Sequence, residues 1–232
     1  MENQNTIIST DKVTKIYKDN GLEVPAVRGI SLTITSGEFT AIVGPSGSGK
    51  TTFLNIISGL DTPTSGDVRL KGKLLSEMKG KELSDFRRDH IGFIFQAYNL
   101  IPVLTVEENV EYIMLLQGVP KKKRRERMME MLRHVGLKEY IDRMPPKLSG
   151  GQQQRVAIAR AMVSKPDLIL ADEPTANLDS KTGAELLDMM HELNQTTGMT
   201  FLFSTHDQMI MEHARRVITL HDGMVANDEV RN

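Results

Sequence analysis

The chain has 232 residues, 39% hydrophobic and 25% charged, an ordinary globular composition with enough apolar mass for a sizeable core. A formal net charge of -1 supplies no global positive field, so nucleic acid is not expected as a partner. With no cysteine, disulfides, thiolate metal sites and cysteine nucleophiles are excluded, and a reducing cytoplasm fits.

The stretch Met1 to Thr10 is polar and lacks the basic start, apolar middle and small-residue cleavage site of a secretory signal. Apolar runs such as Leu168 to Ala171 and Phe201 to Phe203 are far shorter than the ~20 residues a membrane-spanning helix needs. Any membrane role is therefore expected to come from a partner. Between Ser31 and Ile42, Leu32, Ile34, Phe39, Ala41 and Ile42 alternate with Thr, Ser and Gly, which predicts strands broken by a turn at Ser36-Gly37. The second strand enters the glycine-rich run Gly44-Pro45-Ser46-Gly47-Ser48-Gly49-Lys50-Thr51. A short helix is then expected over Thr51 to Ser58, ended by Gly59.

From Leu83 to about Pro166 the pattern becomes helical. Thr105-Val106-Glu107-Glu108 reads as a capping box, followed by Val106, Val110, Ile113 and Met114 at helical spacing. A second helix is expected from about Arg124 to His134, preceded by the basic run Lys121-Lys122-Lys123-Arg124-Arg125, read as a solvated loop with contact to anionic lipid as the alternative. Pro145-Pro146 closes the region, and Ser149 caps a third helix with Val156, Ala157, Ile158, Ala159 and Met162. Beyond Pro166, Leu168 to Ala171 and Thr200 to Ser204 read as strands buried on both faces, separated by a helix from about Ser180 to Asn194. Such alternation predicts a parallel sheet, and ligands of such sheets bind at the carboxyl ends of strands.

Gly44 to Thr51 fits G-x-x-x-x-G-K-[ST], in which glycines let successive backbone N–H groups face a phosphate. Lys50 would reach the terminal phosphates and the Thr51 hydroxyl would hold magnesium, while the helix start adds its positive dipole end. A buried strand ending in Asp172-Glu173 offers two carboxylates pointing in different directions. Asp172 suits the magnesium shell, directly or through water, and Glu173 suits a base that polarises water for attack on a γ-phosphate. His206, just past the next strand, suits orientation of Glu173 or contact with that phosphate. Leu148-Ser149-Gly150-Gly151-Gln152 exposes helix N–H groups as a second anion site, either in one shared site or as half of a site completed by another subunit. The remaining histidines show no ligand spacing, so no zinc site is expected.

The loop at Gly44, Gln96, Leu148 to Gln152, Leu168 to Glu173, Asn177-Leu178-Asp179 and His206 together resemble the ordered motif set of ATP-binding-cassette ATPases. The resemblance spans essentially the whole chain. It implies an α/β fold, a phosphate-loop NTPase core with a mainly parallel sheet, an antiparallel β part near the N-terminus and an inserted helical subdomain. Residues 1–232 would form one cassette domain, with about 1–82 and 166–232 as core and about 83–165 as the insert. The implied cofactors are ATP and Mg2+. Nucleotide contacts would come from Tyr17, stacked on adenine, from Gly44, Pro45, Ser46, Gly47, Ser48, Gly49, Lys50, Thr51 and Thr52, from Gln96, and from Ser149, Gly150, Gly151 and Gln152. Thr51, Gln96 and Asp172 would surround the metal, Glu173 and His206 would be catalytic, and Asp179 would couple two sites.

The family further implies a head-to-tail dimer with each ATP between the phosphate loop of one subunit and the Ser149 region of the other. Its partner would be a separate permease that holds it on the cytoplasmic face of the membrane. Asn99-Leu100-Ile101-Pro102, Leu104 to Val110 and Asn177 to Gly183 are similar to the lipoprotein-releasing and macrolide-exporter branch. Gln152 stands where that branch often has Glu, and Ala176 where it often has Gly. Two alternatives keep the same fold: a soluble cassette ATPase acting on nucleic acid or ribosomes, and a non-hydrolytic nucleotide-binding module. The first usually needs tandem cassettes, coiled coils or zinc inserts, which this sequence lacks, and the second predicts a missing carboxylate where Glu173 stands.

Overall fold

Two sheets share the strands of the computed structural model, which describes residues 5–19 and 21–231, so part of the polar stretch Met1 to Thr10 lies outside the described residues. Strands β1 (Thr6–Asp19) and β2 (Leu22–Thr35) pair antiparallel as a long hairpin. The expected turn at Ser36-Gly37 then sends β3 (Phe39–Val43) into the second sheet. Helix α1 (Lys50–Ile57) follows the glycine loop, and β4 (Ser65–Leu70) and β5 (Lys73–Leu74) return to complete the first sheet in the order β2-β1-β4-β5.

Helix α2 (Lys81–His90) leads straight into β6 (Ile91–Ile94). The helical reading from Leu83 to Pro166 is thus corrected at its start, because β6 is a strand of the second sheet, hydrogen-bonded in parallel to β7. Its four residues, Ile-Gly-Phe-Ile, are too few to show a period against the helical pattern on either side. Helices α3 (Val106–Leu116), α4 (Lys121–His134) and α5 (Gly150–Met162) come next. Helix α4 starts three residues before the expected Arg124, directly after Pro120, so the basic run occupies its first turns and is not a loop. The chain closes with β7 (Leu168–Asp172), α6 (Ser180–Thr197), β8 (Thr200–Thr205), α7 (Gln208–His213), β9 (Arg216–His221) and β10 (Met224–Val230).

The second sheet runs β10-β9-β3-β8-β7-β6, parallel throughout except for β10 at its edge. Side-chain alternation along its buried strands feeds two cores. Ile42, Leu168, Leu170, Leu202 and Ile218 face α1 and the antiparallel sheet, while Phe39, Ala41, Ile169, Ala171, Phe201 and Phe203 face the side of α3, α5 and α6. This two-sided burial is why β7 and β8 read as unbroken apolar runs. Phe39 and Phe203 are fully buried with ring centroids 4.7 Å apart, and truncating either to alanine costs about 3–5 kcal/mol.

The helical side is held by specific polar contacts as well. Thr105 and Glu108 form the expected capping box on α3. One turn on, fully buried Asn109 donates to the carbonyls of Ile101 (3.1 Å), Leu104 (3.0 Å) and Thr105 (2.9 Å) and accepts from the Ile101 N–H (2.8 Å). A single amide therefore fixes the segment 101–105. At the far end of α5, Gly92 on β6 lies so close that a Cβ there would sit 2.3 Å from the Ala161 carbonyl oxygen. Only glycine permits that approach. No helix among the described residues is long and apolar enough to cross a membrane.

Candidate functional site

The register of the second sheet brings the sequence-predicted residues together. Val43, the last residue of β3, pairs with Thr205 of β8, and Asp172, the last of β7, pairs with Ser204. The glycine loop, Asp172-Glu173 and His206 therefore emerge side by side from three adjacent strands, at the carboxyl edge where parallel sheets bind ligands.

The loop folds back over its own lysine. Lys50 Nζ donates to the carbonyls of Gly44 (2.8 Å) and Pro45 (3.1 Å), which holds the ammonium inside the loop. Gly49 has φ +98 and a Cβ there would fall 2.3 Å from the Ala26 carbonyl of β2. The antiparallel sheet thus presses on the loop from behind, and glycine is required. No side chain caps α1, so its first N–H groups face the space in front of the loop. Ser48 is buried beneath, its hydroxyl without a partner among the described residues. Pro45, Ser46 and Gly47 are exposed on the loop's outer side, and Thr52 is half-buried on α1.

Thr51 Oγ1 lies 3.4 Å from each Asp172 carboxylate oxygen, too long for a strong hydrogen bond. Burial, reinforced by the charge of Glu173, pushes the Asp172 carboxyl above its ordinary value, while Ser204, Thr51 and Lys50 act against it. An oxygen-only set of hydroxyl and carboxylate beside a phosphate cradle suits a hard divalent cation such as magnesium.

Asp172 faces Thr51 and Glu173 faces Thr205 and His206, so the two carboxylates diverge as expected. The cause is a backbone turn after the end of β7 at Asp172 and not alternation along an extended strand. The Glu173 φ of +47 lies in the left-handed region that a non-glycine residue rarely adopts. Several bonds hold it there. Its N–H donates to the Ser204 carbonyl (2.9 Å), the Thr205 hydroxyl donates to Oε2 (3.0 Å), and His206 Nδ1 lies 2.7 Å from Oε1. An ionised carboxylate only accepts, so Nδ1 carries the hydrogen and Nε2 faces outward on a ring that is 74% exposed. Glu173 itself is only 16% exposed.

The other predicted residues lie on other elements of the chain. Tyr17, on β1, is 41% exposed and its hydroxyl donates to Asp61 (2.9 Å), so its ring stands fixed at the surface. Gln96 has an exposed side chain, and its backbone carbonyl accepts from Asn177 Nδ2 (2.8 Å). At the start of α5 the Ser149 hydroxyl accepts from the Gln152 N–H (3.3 Å) and Gln152 Oε1 accepts from the Ser149 N–H (2.9 Å). That reciprocal cap leaves the Gly150 and Gly151 N–H groups for an outside acceptor. Cβ atoms at these glycines would meet Tyr98 Oη at 3.0 Å and Thr182 Cγ2 at 2.7 Å, which puts this helix start beside the Gln96 loop and α6. Ser149 to Gln152 make no hydrogen bond to the Gly44 loop among the described residues. Asp179 caps α6 by accepting from the Thr182 hydroxyl (2.7 Å) and N–H (3.0 Å), and these bonds hold its carboxyl below the ordinary range.

Sequence reasoning missed the residues that hold these groups in place. The Thr175 hydroxyl donates to Asp207 Oδ2 (2.6 Å), Arg160 donates to the carbonyls of Tyr98 (2.8 Å) and Asn99 (2.5 Å), and buried Gln154 donates to the Pro174 carbonyl (2.7 Å). Only Asp207 carried a readable signal, as an Asp before a short helix that it caps through the Met209 N–H.

The ABC transporter family model matches residues 27–176. An uncharacterized ABC transporter ATP-binding protein of Thermotoga maritima is 46% identical over 219 residues, covering 94% of this chain and 93% of that protein. The macrolide export ATP-binding/permease protein MacB of Hyphomonas neptunium is 45% identical over 222 residues, which are 96% of this chain but 34% of MacB. Among solved structures, the dimeric structure of the ABC transporter cassette MJ0796 superposes with a TM-score of 0.90 at 43% identity, covering 97% of this chain and 99% of that one. A second dimeric structure of MJ0796, in a post-hydrolysis state bound to ADP and Pi, superposes with the same TM-score and identity.

Proposed function

The chain belongs to the ABC transporter family, as an ATP-binding and ATP-hydrolysing subunit that works with a membrane permease, and from that premise we propose how its residues divide the work. The observation that carries the proposal is the convergence of the Gly44 loop, Asp172, Glu173 and His206 at the carboxyl ends of three neighbouring strands.

The backbone N–H groups of the Gly44 to Thr52 loop, Pro45 excepted because it has none, and the α1 terminus bind the phosphates, and Lys50 moves its donors from the loop carbonyls to the terminal phosphates. Thr51, Asp172 and Gln96 hold magnesium, which when bound neutralises phosphate charge. Glu173 accepts the proton of the attacking water. His206 Nδ1–H orients Glu173, and its Nε2 side faces the γ-phosphate. Tyr17 stacks on the adenine. The free N–H groups of Gly150 and Gly151, with Ser149 and Gln152, belong to the nucleotide of a second, head-to-tail copy, and Asp179 couples the two sites. What supports this half-site reading is the position of Gly150 and Gly151 beside Tyr98 and Thr182, with no hydrogen bond from this helix start to the Gly44 loop among the described residues, and the dimeric form of the MJ0796 cassette.

We also take residues 1–232 as one cassette domain, with a core of about 1–82 and 166–232 and a helical insert of about 83–165 that enters the core sheet through β6. The chain sits on the cytoplasmic face of the membrane, held there by its permease. Lipoprotein release, macrolide-like export or related envelope transport is the favoured task, supported by the MacB relatives. Purification from detergent-solubilised membranes tests the transport reading. A multi-span permease should co-purify in stoichiometric amount, and its replacement by ribosomes or nucleic acid would refute the assignment.

A further inference from the structure

Gln154 lies five residues beyond the Ser149 cap on α5, and its side chain is fully buried. Its Nε2 donates 2.7 Å to the carbonyl of buried Pro174, the residue after Glu173. A carbonyl can only accept, so the amide orientation is fixed by its partner. The other amide atom, Oε1, is buried without a donor among the described residues. A leucine or methionine would remove the stranded Oε1 but leave the buried Pro174 carbonyl without its donor, so the amide serves that carbonyl and not the packing alone.

The bond lands beside a constrained turn of the backbone. Glu173, in the left-handed region, is tied on its N-terminal side to Ser204 and at its carboxylate to Thr205 and His206. Gln154 supplies a tie on its C-terminal side, beside the Ala176 N–H on the Glu173 carbonyl (3.2 Å) and the Thr175 hydroxyl on Asp207 (2.6 Å). Within one rigid helix, the same segment carries Ser149 with the free N–H groups of Gly150 and Gly151 at one end and the anchor of the Glu173 turn a little over one turn further along.

We infer that Gln154 is a positioning residue that links the two half-sites within one chain: through Pro174 it sets the Glu173 carboxylate according to where the Ser149 end of α5 is held. The inference rests on the proposed roles of Glu173 as base and Ser149 as the face toward the partner's nucleotide. Each subunit then senses a neighbour's ATP at Ser149 and answers at its own Glu173.

The test compares Q154L, Q154E and E173Q in the full chain with its permease. Q154L should lower kcat by about 10- to 100-fold, as a displacement near 1 Å does, while calorimetric ATP affinity stays at the wild-type value. Q154E separates positioning from packing. Its ionised carboxylate has nothing to donate to Pro174, whereas its protonated form has an O–H that can. Burial raises the pKa of such a group, so Q154E turnover relative to wild type should climb as pH falls from about 8.5 to 6, while Q154L stays flat. Wild-type kcat in Q154L, or equal losses with parallel pH profiles in both variants, would overturn the inference. Should Q154L fail to fold, the Q154E profile decides alone. Wild-type turnover in E173Q would instead locate the failure in the base assignment, and the inference would fall with it.

Discussion

Replacing Glu173 by glutamine isolates the chemistry at the centre of the site. The amide has the shape of the carboxylate, so Oε1 can still accept from Thr205 and Nε2 can donate to a neutral His206, preserving contacts of 3.0 and 2.7 Å. What disappears is the ability to take a proton from water. General-base catalysis contributes about 10²–10⁴-fold, so the barrier should rise by about 3–5 kcal/mol. Binding should survive, because the Gly44 loop and Lys50 hang from β3 and are untouched. Loss of the neighbouring negative charge also lets Asp172 ionise more readily, which favours rather than weakens the hold on Mg-ATP. The assay pairs steady-state phosphate release with calorimetric ATP titration and light scattering. Hydrolysis should fall at least 100-fold while ATP affinity holds and a dimer accumulates. Wild-type turnover would refute the role of Glu173, and so would a loss that comes with lost ATP binding.

Removing the Lys50 ammonium in K50A should abolish tight ATP binding itself, measurable by calorimetry, and unchanged affinity would contradict the cradle. Asp172 has a raised folded-state pKa, so its stability contribution is greatest below the ordinary range near 4 and declines as pH rises through the raised value. D172N should therefore raise the melting midpoint of nucleotide-free protein at pH 7, by about 2–4 °C per kcal/mol recovered, and flatten its fall above about pH 4. The same variant should lose magnesium-dependent stabilisation by ATP. In N109L the Ile101 N–H and the Ile101 and Leu104 carbonyls lose their partner, at a cost of about 2–4 kcal/mol, seen as a drop of roughly 5–15 °C in Tm.

What could be read in advance was whatever a short stretch of chain decides for itself. The Gly44 loop, the Thr105 and Ser149 caps and the doubly buried β7 and β8 all rest on local residue chemistry, and each took the expected form. Strand β6 escaped because four residues between helices carry no period, and α4 started early because Pro120 favours a helix start that the charge run obscured. The supporting contacts escaped for a different reason. Gln154 to Pro174, Arg160 to Asn99 and Asn177 to Gln96 join positions 20, 61 and 81 residues apart, and no local pattern encodes such a pairing.

The contact of Gly92 with Ala161 gives α5 a fulcrum. A Cβ at position 92 would fall 2.3 Å from the Ala161 carbonyl oxygen, so the two backbones pack closely and this end of the helix is the one seated on the sheet. With a rise of 1.5 Å per residue, Ser149 stands about 18 Å and Gln154 about 10 Å from that pivot. A tilt of about 5° then displaces Ser149 by about 1.6 Å and Gln154 by about 0.9 Å on the same lever. Under the positioning role inferred for Gln154, the helix would work as a reducing gear: a coarse movement imposed at its tip would reach the Glu173 turn as a sub-ångström adjustment. A bulkier residue at position 92 would force helix and strand apart at this end.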